Sequence, residues 1–164
     1  FNIIFLIMIE QIYTYFTVEM IYLWLNLGVL PFWFILIAFP QSQLCKIFII
    51  SIFPIFILSL IYCYLLYLAF HNDYNFLSNF NLYLGLENLS DLFTNNTFLI
   101  IFWTHFLTIN LFCGGWIVKD AQKFSVNKIL MFFSLLITYL AGPIGLTIYW
   151  IIRIFYAKRI NLYD

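Results

Sequence analysis

Two polar side chains that could contact a ligand, His105 and Asn110, lie in an apolar segment bounded by Trp103 and Trp116. An unpaired polar group in hydrocarbon costs roughly several kcal/mol, so each needs a partner on another helix, in water or in a ligand. At about 100° per helical residue the two point about 140° apart, which excludes one tight intrahelical pair. Two interpretations follow: hydrogen bonds between helices, or a ligand-binding face formed by Trp103, His105, Asn110 and Trp116.

A third interpretation uses the two histidines of the chain. His71 follows one apolar segment and His105 lies early in the next, on the same side of a membrane. Two imidazoles from adjacent helices are one way to hold a b-type haem. The pair therefore keeps a haem-bearing membrane anchor open as a hypothesis.

Small residues recur at three- and four-residue intervals near the end of the chain. Such residues let helix backbones approach closely in lipid. Pro143 has no N–H and displaces the carbonyl of Tyr139, so a kink is expected there. Ser134, Thr138, Gly142 and Gly145 form a stripe along the last span, and Gly114 and Gly115 offer a matching flat surface at the end of the third. We therefore predict close helix packing at Gly114, Gly115, Ser134, Thr138, Gly142, Pro143 and Gly145.

The remaining polar and sulfur-containing residues suggest no chemistry by pattern. Asp120 lies beside Lys119 and near Lys123, which predicts a solvated loop with weak local ion pairs. The sequence contains no nucleophile–base pair, metal-ligand spacing or phosphate loop. The three cysteines lack a metal or redox spacing and are interpreted as small buried hydrophobes: Cys45, Cys63 and Cys113.

Composition determines the class of protein. The chain of 164 residues is 65% hydrophobic and 9% charged, with a mean hydropathy of +1.01. Soluble domains carry about 25% charged residues, so this chain is predicted to be an all-α membrane protein. A net charge of zero argues against nucleic acid as a partner.

Four apolar segments are long enough to cross a bilayer, which takes about 20 helical residues. We therefore predict a single membrane domain over residues 1–164, a multi-pass bundle of four transmembrane helices. Pro54 is expected to kink the second helix. The predicted spans are 20–39, 47–70, 98–118 and 129–152.

Two further segments are predicted to lie outside the four membrane spans. Residues 1–18 are interrupted by Glu10, Gln11 and Thr14 and predict an interfacial helix or the end of a longer one. The polar loop 71–96 is expected to lie on the membrane surface, helical in part over 82–93.

If the chain crosses the membrane four times, its basic residues favour one orientation only weakly. Lys46, Lys119, Lys123 and Lys128 would share the inner side, opposed by Arg153, Lys158 and Arg159 in the tail.

The kinds of apolar residue in the chain suggest which genome encodes it. Phe, Ile, Tyr and Asn are abundant while Val and Ala are few, a skew typical of an AT-rich genome rather than of a folding requirement. No cleavable targeting peptide is recognised at the start. These observations favour an organelle-encoded, multi-pass protein of the mitochondrial inner membrane, with an AT-rich nuclear genome as the alternative source.

A longer pattern resembles the abscisic acid-deficient-4-like family. The matching residues are Leu30-Pro31-x-Trp33, Gly85-Leu-Glu87, Trp103-x-His105, Asn110-Leu-Phe112-x-Gly114-x-Trp116, Asp120 and Gly142-Pro143-x-Gly145-Leu146. The resemblance covers roughly residues 20–153. It implies a four-helix membrane protein related to those known in plants for neoxanthin synthesis in plastids.

Two departures from the family pattern direct the functional hypothesis. The resemblance implies an Asp where this chain has Asn110 and an Arg where it has Gly115. Loss of both charges predicts a scaffold that retained the fold and lost the chemistry. The first hypothesis is thus a non-catalytic subunit of a mitochondrial respiratory complex, with other membrane subunits and lipids as partners and no cofactor. The alternatives are a carotenoid- or isoprenoid-related membrane enzyme, implied by the resemblance, and the haem anchor.

Overall fold

The structure is a computed structural model that describes residues 16–49, 51–158 and 160–161. The described residues form five α-helices, one short π-helical turn at Cys45–Ile49 and one 3-10 helix at Phe76–Tyr83. The five α-helices are α1 (Val18–Ala38), α2 (Phe53–His71), α3 (Leu86–Thr94), α4 (Asn96–Lys123) and α5 (Lys128–Ala157).

The prediction of an all-α membrane protein is confirmed. Four of the helices, α1, α2, α4 and α5, are long and apolar enough to cross a membrane. Their bounds differ from the predicted spans by a few residues, and α2 begins at Phe53 rather than at residue 47. Pro54 therefore lies in the first turn of α2, where its missing N–H disrupts no helical hydrogen bond. The prediction for residues 1–15 falls outside the described residues.

The polar loop contains two short helices. Asn75 caps the 3-10 helix, because its side chain accepts a hydrogen bond from the Leu77 amide. Gly85 precedes α3 with a φ of 155°, a conformation that favours glycine. The helix predicted over 82–93 is thus confirmed as α3, displaced by a few residues.

The contacts group the chain into two compact units. The first unit contains residues 16–28 and 61–105 of the described chain. In it the Trp103 indole donates a hydrogen bond to Asn26 Oδ1 over 3.2 Å, and the Tyr22 ring lies 6.2 Å from the indole. These polar and aromatic contacts join α1 to α4 within the first unit.

The second unit contains residues 29–60 and 106–161 of the described chain. Trp33 of α1 is 3% exposed and packs edge-on against Tyr139. The same indole lies against Gly114 so closely that a Cβ there would be 2.8 Å from Trp33 Cη2. Gln122 donates to the Pro40 carbonyl over 2.8 Å, which joins the end of α4 to the segment after α1.

Helix α5 folds back on itself at Ala141. This residue has φ −145° and ψ 65°, which breaks the helix into two arms, 128–140 and 142–157. The arms touch, because a Cβ added at Gly145 would collide with the backbone nitrogen and hydroxyl of Thr138. Pro143 predicted a kink at this place, and the structure contains a full reversal.

The small residues pack differently from the predicted arrangement. Gly114 and Gly115 were expected to oppose the stripe on the last helix, but Gly114 lies against Trp33 and Gly115 near the Ile49 carbonyl. The stripe instead lies at the reversal of α5. Gly145 lies against Thr138 of the other arm, and Gly142 lies beside the Asn110 side chain.

Candidate functional site

An acidic, a basic and a phenolic side chain meet in the second unit. Tyr149 donates its hydroxyl hydrogen to Asp120 Oδ2 over 2.7 Å, and Arg153 donates from Nε to the same oxygen over 2.8 Å. Tyr149 is fully buried and Arg153 is 1% exposed, whereas the Asp120 side chain is 10% exposed. Asp120 is therefore the most exposed member of this set.

This arrangement corrects the prediction for Asp120. The sequence suggested a solvated loop paired with neighbouring lysines, but Asp120 lies in the last turn of α4 and pairs with Arg153 of α5. Because the reversal at Ala141 returns the second arm alongside the end of α4, residues 33 positions apart come into contact.

Aromatic rings surround the guanidinium group. The central carbon of Arg153 lies 5.0 Å from the Phe124 ring centre and 5.4 Å from that of Trp150. A cation placed over such rings is attracted to their negative faces, which partly replaces the water it has lost. Arg153 also donates from Nη1 to the Asn161 carbonyl over 2.9 Å. The guanidinium group is thus held by a carboxylate, a backbone oxygen and two rings.

Trp116 lies beside this set. Its ring meets Tyr149 edge-on at 5.6 Å and stacks on Trp150 at 6.1 Å with 14° between the planes. Trp116 also lines a groove of about 430 Å³ within the second unit. The groove is apolar along its length and has a hydroxyl and an ammonium group among its lining residues, which include Ser51, Ile52, Ile55, Phe112, Trp116 and Lys119.

Asn110 is buried against the reversal of α5. It is 6% exposed, and a Cβ added at Gly142 would collide with its amide oxygen. Its Nδ2 is a buried polar atom without a hydrogen-bond partner among the described residues. The groove beside Trp116 is lined by the following residue, Leu111, so Asn110 borders the reversal rather than the groove.

The other two residues of the predicted ligand face lie in the first unit. Trp103 contacts Asn26 and Tyr22, and it lines a groove of about 490 Å³ that also includes Glu19. His105 is exposed, with its ring 6.5 Å from that of Tyr62. Trp103 and His105 have partners in the first unit and Trp116 has partners in the second, and the grouping of these residues with Asn110 into one ligand face stays a prediction.

The haem hypothesis fails on the distance between the histidines. His105 contacts Tyr62, whereas His71 stacks on Tyr67 and lies nine residues beyond Tyr62 on α2. Nine residues of helix advance about 13 Å, so the imidazoles lie at different depths. One haem iron must be reached by both imidazoles at once.

These features define a multi-pass α-helical membrane protein with a buried carboxylate–guanidinium–phenol set beside an apolar groove. A family model described as ABA DEFICIENT 4-like matches residues 20–149, which is most of the chain. The chain belongs to the ABA DEFICIENT 4-like family, and the resemblance found in its sequence is confirmed.

A curated relative gives the family a biological setting. Protein ABA DEFICIENT 4, chloroplastic, from Arabidopsis thaliana is 27% identical over 129 residues. The match covers 77% of this chain and 57% of the relative, so the chain spans little more than half the length of that protein. No solved structure matches the chain.

These comparisons overturn the first functional hypothesis. A mitochondrial respiratory subunit is wrong, and so is the mitochondrial inner membrane as its location, because the family is ABA DEFICIENT 4-like and the relative is a chloroplastic protein. The AT-rich choice of apolar residues reflects the nucleotide composition of a genome, and several kinds of genome share it. Composition therefore identified the membrane class and could not identify the organelle.

Sequence reasoning missed Tyr149, Arg153 and the role of Asp120. The chain has Asn110 and Gly115 at the two departures from the family pattern, and an Asp–Arg pair is present at another place, between Asp120 and Arg153. One available signal was that α5 has basic residues at both ends and a Gly-Pro pair near its middle.

Proposed function

We propose that this chain binds a carotenoid or another isoprenoid in a plastid membrane and takes part in its conversion, with Asp120 as the acid–base group. The observation that carries the proposal is the position of the Asp120–Tyr149–Arg153 set directly behind Trp116, which forms a wall of the apolar groove. Membership of the family and the chloroplastic relative support the substrate class and the compartment.

The groove suits an elongated apolar ligand that has one oxygenated end. Ile52, Ile55 and Phe112 offer hydrocarbon and aromatic surface, while Ser51 and Lys119 offer polar groups. Its volume of about 430 Å³ lies within the usual range for ligand sites, about 300–1,000 Å³. An isoprenoid chain would lie against Trp116 and extend into lipid, and its oxygen would lie near Ser51 or Lys119.

The buried set supplies groups that can hold and move a proton. Asp120, next to the groove residue Lys119, has a partly exposed carboxylate that can hold and release a proton. The Tyr149 hydroxyl, hydrogen-bonded to Oδ2, orients the carboxylate, and the Arg153 guanidinium neutralises its charge. In water-poor surroundings such interactions are stronger than at a surface.

The experiment expresses the chain in a bacterial host that makes carotenoids and follows both pigment conversion and pigment bound to the purified protein. We expect the unchanged chain to alter the carotenoid profile and to retain pigment. Asp120→Asn should retain pigment and abolish conversion, whereas Trp116→Leu should lose both. Asp91→Asn, an exposed carboxylate in α3, and Trp24→Leu, an exposed indole in α1, are the matched controls.

Two results would contradict the proposal. Absence of both bound pigment and conversion in the unchanged, monodisperse protein would exclude the substrate class. Full conversion by Asp120→Asn would show that Asp120 is not the acid–base group of the conversion. Tyr149→Phe keeps the ring and loses the hydroxyl. Thermal unfolding of Asp120→Asn and Tyr149→Phe separates a chemical defect from a folding defect.

A further inference from the structure

We propose that α5 is re-entrant: it enters the membrane and returns to the face it came from, so that the chain crosses the bilayer three times along its described length. This inference concerns membrane topology and holds whether or not the proposed function is correct. Four helices are long and apolar enough to cross, but α5 differs from the others because it is folded in two.

The first evidence is the distance between the ends of α5. A straight helix of 30 residues is about 45 Å long, and the 25 residues from Lys128 to Arg153 would advance about 38 Å. Yet Asp120, three residues before the end of α4 and eight before Lys128, bonds Arg153 over 2.8 Å. The second arm must therefore return to the level at which the first arm begins.

The second evidence is the turn itself. Ala141 has non-helical backbone angles, and a Cβ at Gly145 would overlap Thr138, so the backbones of the two arms touch just beside the turn. The arms, residues 128–140 and 142–157, are about 20 and 24 Å long. Neither arm alone spans a hydrocarbon core of about 30 Å.

The charges favour three crossings over four. Each crossing by α1, α2 and α4 moves the chain to the opposite face. With a re-entrant α5, one face receives all six basic residues of the described chain: Lys46, Lys119, Lys123, Lys128, Arg153 and Lys158. Four crossings would divide them four against two. Because basic residues concentrate on the inner side of a membrane, the three-crossing arrangement has a clear orientation.

The opposite face is acidic in the same arrangement. It receives Glu19, Asp73, Glu87 and Asp91, and no Lys or Arg from the described chain. Asp120 is the acidic residue of the described chain on the basic face, and it is paired with Arg153. If the proposed function is correct, the oxygenated end of the ligand is therefore handled near the inner face.

The first test uses the native lysines and needs no variant. In the folded-back helix Lys128 and Lys158 lie at similar depth on neighbouring arms, whereas a straight α5 would separate them by about 45 Å. An amine-reactive cross-linker with a spacer of about 11 Å should join them within one chain. Purified protein mixed with isotope-labelled protein distinguishes this link from one between two chains. An absence of the intrachain link, with both lysines modified singly, would overturn the proposal.

The second test measures sidedness directly. Single cysteines are placed at Ser125, Lys158 and Ser90 after the three native cysteines are changed to alanine, and sealed vesicles of uniform orientation receive a membrane-impermeant maleimide. We expect Ser125→Cys and Lys158→Cys to label from the same side and Ser90→Cys from the other. Labelling of Lys158→Cys together with Ser90→Cys would establish a full fourth crossing and refute the re-entrant arrangement.

Discussion

Arg153 donates its Nε–H to Oδ2 of Asp120 over 2.8 Å, and this contact joins the second arm of α5 to the end of α4. With Arg153 1% exposed, the carboxylate is its principal counter-charge. A buried charge that loses its partner is strongly destabilising, by about 3–5 kcal/mol. The pair thus stabilises the folded-back arm as well as belonging to the candidate site.

The first prediction concerns that pair. Arg153→Leu should lower the free energy of unfolding by about 3 kcal/mol, because it leaves the Asp120 carboxylate without its cation in apolar surroundings. The double variant Asp120→Leu/Arg153→Leu should lose less than the sum of the two single variants. Thermal unfolding in detergent across the four proteins measures the coupling.

The control for this cycle is Lys158→Leu, which removes an exposed basic residue from the same end of α5. Its effect should be within about 0.5 kcal/mol of zero. Additive effects of the two single variants would show that Asp120 and Arg153 do not interact in the membrane protein. Arg153→Lys should recover little stability, since a lysine lacks the planar group that lies over Phe124 and Trp150.

The second prediction compares two adjacent glycines of α4. A Cβ at Gly114 would lie 2.8 Å from the Trp33 ring, which is 3% exposed and packs against Tyr139. A Cβ at Gly115 would meet its nearest neighbour, the Ile49 carbonyl, at an ordinary 3.8 Å. We expect Gly114→Ala to destabilise by about 1–3 kcal/mol through overpacking.

Gly115→Ala is the matched control, because alanine is the better helix former by about 1 kcal/mol and meets no obstacle there. It should leave the melting temperature unchanged or raise it. Equal melting temperatures for the two variants would mean that Trp33 does not pack against Gly114.

The third prediction concerns Asn110 and Gly142. Gly142→Ala should destabilise the protein because its Cβ would collide with the Asn110 amide oxygen. Asn110→Ala removes the obstacle and also removes a buried amide nitrogen without a partner. The double variant should therefore be more stable than Gly142→Ala alone, which differential scanning fluorimetry can measure. If the double variant is less stable than both single variants, the Asn110 amide is not what destabilises Gly142→Ala.

The fourth prediction concerns Cys45, a fully buried residue in the π-helical turn. Burial raises the pKa of the Cys45 thiol to about 11, from an ordinary 9.0. Only the thiolate reacts, so the reactive fraction at pH 8 falls from about one in ten to about one in a thousand. Maleimide labelling at pH 8, followed by peptide mass spectrometry, should be at least about 100-fold slower in the native protein than after unfolding in dodecyl sulfate.

Raising the pH from 8 to 9 should increase the Cys45 labelling rate about tenfold, since the thiolate fraction still rises in proportion to hydroxide well below the pKa. A rate that is flat over this range would indicate a thiol already ionised. Cys45→Ala identifies the labelled peptide unambiguously.

The helices were predictable because lipid imposes a strong and local rule. A segment of about 20 apolar residues satisfies its backbone hydrogen bonds as a helix whatever its neighbours, so hydropathy alone located α1, α4 and α5 within a few residues. The start of α2 was less predictable, because the apolar residues before Phe53 form the short π-helical turn at Cys45–Ile49.

The site was less predictable because it depends on contacts between distant residues. Asp120 and Arg153 are separated by 33 positions, and no spacing rule relates them. Pro143 predicted a kink, but the angle depends on tertiary contacts: Gly145 against Thr138, and Gly142 against Asn110. The ring and hydrogen-bond partners of Trp103, His105 and Trp116 were likewise not predictable, because they lie on other helices or far along the chain.

The stacked indoles of Trp116 and Trp150 give this protein an optical reporter of its own. Two such rings, 6.1 Å apart and 14° from parallel, couple their electronic transitions. Trp150 also borders the Arg153 guanidinium, and Trp116 forms a wall of the groove. Near-ultraviolet circular dichroism should therefore sense a molecule entering the groove, or the loss of the ion pair, without any label having been attached.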